Sequence, residues 1–309
     1  MSTIHPISIR DVSKSFGKTH AVQNVSFDVP EGRIFGLLGP NGAGKTTTIR
    51  MINYIIQRDS GSIRIRGEEV GPESQRLIGY MPEERGLYKK MKIGEQLIYL
   101  ARLKGMGKEE AKERIRYWLE RFDASDWHQK TVGELSKGMS QKIQFISTIL
   151  HDPDIFIFDE PFSGLDPINS ELLKEIILEF RSRGKTILFS THRMEQVEQM
   201  CDDICLFNRG RVVLTGNLRE IKKRFGENTV LLEYDGDGSF VDALEGVRIN
   251  NRSTNFAEIR LLEEQDPQEL LRTAMAHARI HKFELVEPSL TEIFISTVGE
   301  DQVRKEELV

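Results

Sequence analysis

The chain has 309 residues, enough for roughly two domains. Its 39% apolar and 29% charged residues suit a globular protein, and no apolar run approaches the ~18 residues a membrane-spanning helix needs. With 43 Lys and Arg against 48 Asp and Glu the net charge is −5, and no basic block offers the footprint of a nucleic-acid partner.

The opening Met-Ser-Thr-Ile-His-Pro lacks the charged and apolar regions of a signal peptide, so the chain is expected in the cytosol unless a partner holds it at a membrane. Residues 7–12 and 22–29 alternate and predict two antiparallel strands, the second closed by Pro30-Glu31-Gly32. Between them Phe16 sits in a polar turn, either as core or as a flat face for an adenine ring. Residues 34–38, Ile-Phe-Gly-Leu-Leu, predict a buried strand. Gly39, Pro40, Asn41, Gly42, Ala43, Gly44, Lys45, Thr46 and Thr47 follow, and a helix begins there. Strand, glycine-rich turn, Lys-Thr and helix make a phosphate-binding loop. Its glycines let successive N–H groups face an anion, and the helix N-terminus adds its dipole. Lys45 is placed to reach β/γ-phosphates and Thr46 to hold Mg²⁺.

Residues 60–67 and 77–82 read as further strands, and 83–88 as a polar loop. From about 93 to 150 the pattern is helical, with Ala111, Ile115, Trp118, Leu119 and Phe122 on one face. Residues 135–141, Leu-Ser-Lys-Gly-Met-Ser-Gln, interrupt it, and a helix is expected to resume at 142. Residues 154–160 form an apolar strand ending in Asp159 and Glu160. A run that apolar suits a parallel strand covered on both faces, and ligands bind at the C-terminal ends of such strands. Adjacent acids there point to a metal and a water. Asp166 reads as a helix N-cap before Pro167, and 186–191 as a buried strand with His192 at its end. Cys201 and Cys205 have no Cys/His pair at zinc-site spacing and read as reduced packing residues, metal binding being the remote alternative.

After Arg219 the pattern changes. Strands at 229–234, 247–250, 256–262 and 280–286 alternate with helices starting at Ser239, Asp266 and Ser289. The order β-α-β-β-α-β-α fits a small ferredoxin-like α+β module without catalytic pattern, hence an assembly or regulatory role. Residues 300–309 are charged and expected to be disordered.

Residues 5–218 resemble the nucleotide-binding subunit of ABC transporters, with that family's motifs in order. Gly39 to Thr46 matches Walker A. Leu135-Ser136-Lys137-Gly138-Met139 resembles the signature, Asp159 and Glu160 match Walker B with its catalytic glutamate, Asp166 lies in the D-loop, and His192 looks like the switch histidine. Phe16 falls where the family places its adenine-stacking aromatic. Glu83 occupies the Q-loop glutamine position; it retains the capacity to ligate Mg²⁺ but, ionised, cannot donate a hydrogen bond. The resemblance implies an α/β P-loop NTPase with a mixed sheet core, an antiparallel β subdomain and a helical subdomain at about 90–150. It implies ATP and Mg²⁺ as cofactors, Lys45, Glu160 and His192 as catalytic residues, and Thr46, Asp159 and Glu83 as metal ligands. Ser136 and Gly138 would face a γ-phosphate across a dimer of two copies. The domains run 1–218 and 219–300, with a tail at 301–309. The 79–88 segment and the C-terminal module are similar to ATPases of bacterial ABC-2-type exporters, including sodium-efflux (NatA-like) systems. That implies an ABC-2-type membrane permease as partner, a place on the cytoplasmic face of the membrane, and a cargo such as Na⁺ or a drug. The alternative is a soluble ABC ATPase acting on another macromolecule.

Overall fold

The computed structural model describes residues 4–84, 86–225, 229–262 and 265–299. The tail at 301–309, expected to be disordered, lies outside the described residues. The chain divides into two compact units, Met1–Asn217 and Leu218–Val309.

In the first unit, β1 (Ile7–Phe16), β2 (Thr19–Val29) and β3 (Ile34–Leu38) lead to α1 (Lys45–Ile52). Next come β4 (Ser60–Ile65), β5 (Glu68–Glu69) and β6 (Ile78–Met81). The helices α2 (Ile93–Leu103), α3 (Lys108–Arg121) and α4 (Lys137–Ile149) follow. The unit closes with β7 (Ile155–Asp159), α5 (Pro167–Ser182), β8 (Thr186–Thr191), α6 (Met194–Met200), β9 (Asp203–Asn208) and β10 (Arg211–Asn217). Two sheets result, ordered β2-β1-β4-β5 and β10-β9-β3-β8-β7-β6. The first is antiparallel; the second is parallel except where β10 pairs with β9. Every residue of β3, β7 and β8 is buried, as apolar runs without alternation require.

An aromatic chain ties the large sheet to the helices. Phe180 stacks on Phe156, Phe156 on Phe158, and Phe145 and Phe122 carry the contact to Trp118 of α3. Each buried phenylalanine contributes roughly 2 kcal/mol, so β7 is held firmly against its surroundings.

The structure departs from the sequence reading at three places. β1 runs on to Phe16, which is exposed at the strand end rather than part of the core. The interruption read at 135–141 is the start of α4: Ser136 caps it by accepting the Met139 N–H at 3.2 Å. β9 and β10, which the apolar pattern did not reveal, form a hairpin turning at Arg209-Gly210 and extend the sheet past β3. Cys205 is buried within β9, and Cys201 follows α6; both are free thiols.

The second unit begins with α7 (Leu218–Arg224) and β11 (Thr229–Asp235). It continues through α8 (Ser239–Asp242), β12 (Val247–Ser253), β13 (Phe256–Leu261), α9 (Pro267–His277), β14 (Arg279–Val286) and α10 (Leu290–Val298). Its sheet is antiparallel, ordered β12-β13-β11-β14, which is the ferredoxin-like arrangement. Val230, Leu232 and Tyr234 pack beneath Phe240, Val241, Leu270 and Ala274 of the two covering helices. Ser289 and Glu292 close the capping box that starts α10.

Candidate functional site

Strand register brings the sequence-predicted residues together. Leu38 pairs with Thr191, and Asp159 with Ser190, so β3, β7 and β8 end side by side. The Gly39 turn, Glu160 and His192 therefore leave the sheet at one edge.

The glycine-rich turn is shaped by neighbours that leave no room for side chains. Gly39 has φ 141°, and a Cβ there would lie 2.2 Å from the Phe207 carbonyl oxygen. Gly44, at φ 108° before α1, would place a Cβ 2.5 Å from the Ala21 carbonyl oxygen. The Ala43 carbonyl accepts the Gly210 N–H at 2.9 Å, and the Gly210 carbonyl accepts the Gln23 N–H at 2.7 Å. The β9–β10 turn thus clamps the loop against β2. Lys45 Nζ donates to the Gly39 and Pro40 carbonyls at 2.6 and 3.0 Å, folding back across the turn. Burial pulls its pKa down, opposed by the charges of Glu160, Asp159 and Glu83.

Asp159 is fully buried. Its Oδ1 accepts hydrogen bonds from Thr46 Oγ1, at 3.2 Å, and from Ser190 Oγ, while Oδ2 has no partner. Burial raises the pKa of this carboxyl. An orphaned carboxylate oxygen beside a threonine hydroxyl fits a hard divalent cation, which prefers oxygen ligands. Glu160 adopts φ 49°, a left-handed conformation unusual for a non-glycine residue. Its N–H donates to the Ser190 carbonyl at 3.2 Å and to Ser190 Oγ at 3.1 Å. Its Oε1 lies 2.9 Å from His192 Nδ1. The acid is well covered, 11% exposed at its side chain, and the imidazole is 46% exposed. Glu83 faces the same charges: burial, then repulsion from Asp159 and Glu160, raises its pKa. Gln144 holds the loop that carries it, donating to the Pro82 and Glu84 carbonyls at 2.6 and 3.2 Å.

Ser136 and Gly138 start α4, and Asp166 starts α5. A Cβ on Gly138 would lie 3.7 Å from the Gly164 carbonyl oxygen, so the start of α4 sits against the loop before α5. Asp166 caps α5, accepting the Asn169 N–H at 3.0 Å, and this bond lowers its pKa. The hydrogen bonds of Ser136 and Asp166 stay within their own helix starts. Phe16 is 51% exposed, with Lys14 Nζ 5.5 Å from the ring centroid. Ser190 and Gln144 escaped the sequence reading, because an uncharged residue inside a buried strand or helix carries no local mark of its partners.

A phosphate-cradling turn, a lysine folded across it and carboxylates at the end of the neighbouring strand define a P-loop nucleotide hydrolase. Residues 22–163 match the ABC transporter family model, and 216–298 match the C-terminal domain of DrrA1-3-like ATP-binding proteins. The uncharacterized ABC transporter ATP-binding protein YhaQ of Bacillus subtilis is 48% identical over 95% of this chain and 98% of its own. The ABC transporter ATP-binding protein NatA of the same organism is 38% identical over 70% of this chain and 91% of its own. A solved ATP-binding subunit of an ABC transporter is 34% identical, with TM-score 0.67, covering 71% of this chain and 93% of that one. The chain belongs to the ABC transporter ATP-binding family, in its DrrA/NatA branch. It binds ATP and is an ATPase.

Proposed function

We propose that two copies bind ATP head to tail and power a separate ABC-2-type permease that exports a cargo such as Na⁺ or a drug. The observation that carries this reading is the pair of complementary surfaces on one chain. Gly39 to Thr47 cradles one side of a triphosphate, and the Ser136–Gly138 turn offers a second anion-binding surface free to close on a partner's ATP. Lys45 exchanges its loop carbonyls for phosphate oxygens. Phe16 offers its exposed ring to adenine. Thr46, Asp159 and Glu83 would hold Mg²⁺, which neutralises phosphate charge when bound. Glu160 takes the proton of the attacking water, and His192, hydrogen-bonded to it, senses the γ-phosphate. In this reading Asp166 communicates between the copies.

A segment of the permease would dock at a cavity of about 500 Å³ lined by Ile55, Arg76, Tyr80, Leu100, Lys104 and His151. No described helix is long and apolar enough to cross a membrane, so this reading puts the protein at the cytoplasmic face through that partner. Phosphate release tests the chemistry: Glu160→Gln should keep ATP binding and lose about 10²- to 10⁴-fold in turnover. Turnover near wild type would remove Glu160 as the base.

A further inference from the structure

The second unit leaves a strand edge open. β14 hydrogen-bonds to β11 on one side, and in the sheet it has no neighbour on the other among the described residues. The two faces of that edge differ. Leu285, Phe283 and Ile280 pair with Val230, Leu232 and Tyr234, so they share the helix-covered face. There Leu285 is 38% exposed and Met275 of α9 is 66% exposed. His277 of α9 stacks on Phe240 of α8. Two residues along a helix turn about 200°, so Met275 lies on the flank of α9 away from α8. An apolar margin therefore runs beside the free backbone. On the other face stand Lys282 and Glu284, joined at 2.7 Å.

We propose that β14 pairs antiparallel with β14 of a second copy about a twofold axis at Phe283, continuing the sheet across both C-terminal modules. This goes beyond the ATP-dependent dimer and requires no nucleotide. The charges select the occupant. With Phe283 opposite its own counterpart, Lys282 of each copy stands opposite Glu284 of the other; the register shifts at His281, whose Nε2 lies 2.7 Å from Asp235, so the regular pairing is centred on residues 282–284. The ion pair within each strand is exchanged for one across the interface, two in all before and after. Opposite charges facing each other in this way are favourable, and like charges unfavourable. The other edge lacks this property: β12 centred on Asn250 would set Arg248 against Arg252. A twofold contact also closes on itself, so it covers the edge without growing into a fibre.

Sedimentation of the full chain without nucleotide tests the pairing. The wild type should dimerise. Lys282→Glu and Glu284→Lys should each weaken the dimer about tenfold, by setting like charges opposite one another twice. The double exchange should restore it. Directly paired residues have Cα atoms about 4.5–5.5 Å apart, within disulfide range. Phe283→Cys should therefore cross-link under mild oxidation, and Asn250→Cys should not. A chain that stays monomeric without nucleotide at every soluble concentration would overturn the proposal. So would a dimer indifferent to the single reversals, or a double exchange as weak as either single. Because nucleotide is absent throughout, these outcomes are independent of whether the ATP-dependent dimer forms.

Discussion

Ser190 shows how much of this site depends on a residue with no charge. Its hydroxyl donates to Asp159 and also accepts the Glu160 N–H. One side chain thus fixes the orientation of a buried carboxylate and the left-handed backbone of the residue after it. Replacing it by alanine leaves the phosphate turn untouched but removes both contacts. We expect Ser190→Ala to lower kcat about 10- to 100-fold while the KM for ATP stays within about threefold. Steady-state phosphate release checks this, and an equal loss in kcat and ATP affinity would place Ser190 in binding instead. Phe16 belongs to the same scale. From its sequence neighbours it served equally as core or as an adenine platform; exposure at the end of β1 rules out the core.

The elements were legible where backbone chemistry is local. Continuous apolar runs marked β3, β7 and β8, and proline with an acidic cap marked α5. The start of α4 was misread because Gly138 breaks helical pattern, although Ser136 supplies an ordinary N-cap. β10 carries little sequence signal because it is only half-buried and alternates weakly, whereas β9 is a fully buried run that the sequence reading left unassigned. Partners brought by long-range pairing, such as Gln144 to the Glu83 loop, have no signal in a linear pattern. The junction between α4 and β7 carries a consequence for acid stability. Both ring nitrogens of His151 are buried, and burial, helped by Lys104 and opposed by a backbone contact at Ile78, lowers its pKa to about 4. The unfolded chain binds that proton more tightly, with a pKa near ~6.5. Stability is therefore fully present above about pH 6.5 and falls as pH drops toward 4, by on the order of 2–3 kcal/mol. His151→Phe should lose less stability than wild type between pH 7 and 5 in urea titrations. Equal losses in the two proteins would contradict the burial of a neutral imidazole.

At the scale of the whole molecule, the proposed composite ATP site draws on two different surfaces of one chain. The phosphate turn, Asp159, Glu160 and His192 lie at the ends of β3, β7 and β8, and Ser136 and Gly138 lie at the start of α4. In the proposed dimer, two copies arranged head to tail would join these surfaces twice, with nucleotide as part of the interface. Separation of the two dimer contacts, one made by ATP and one by β14, would let the copies remain associated while the ATP sites open. The most direct measurement is sedimentation of Glu160→Gln with and without ATP and Mg²⁺, on a Lys282→Glu background that weakens the β14 contact. The account predicts a shift from monomer to dimer on adding ATP, abolished by a further Ser136→Trp that still binds ATP as a monomer. A Glu160→Gln protein saturated with ATP that remains monomeric, or one whose dimer survives Ser136→Trp, would contradict the composite site.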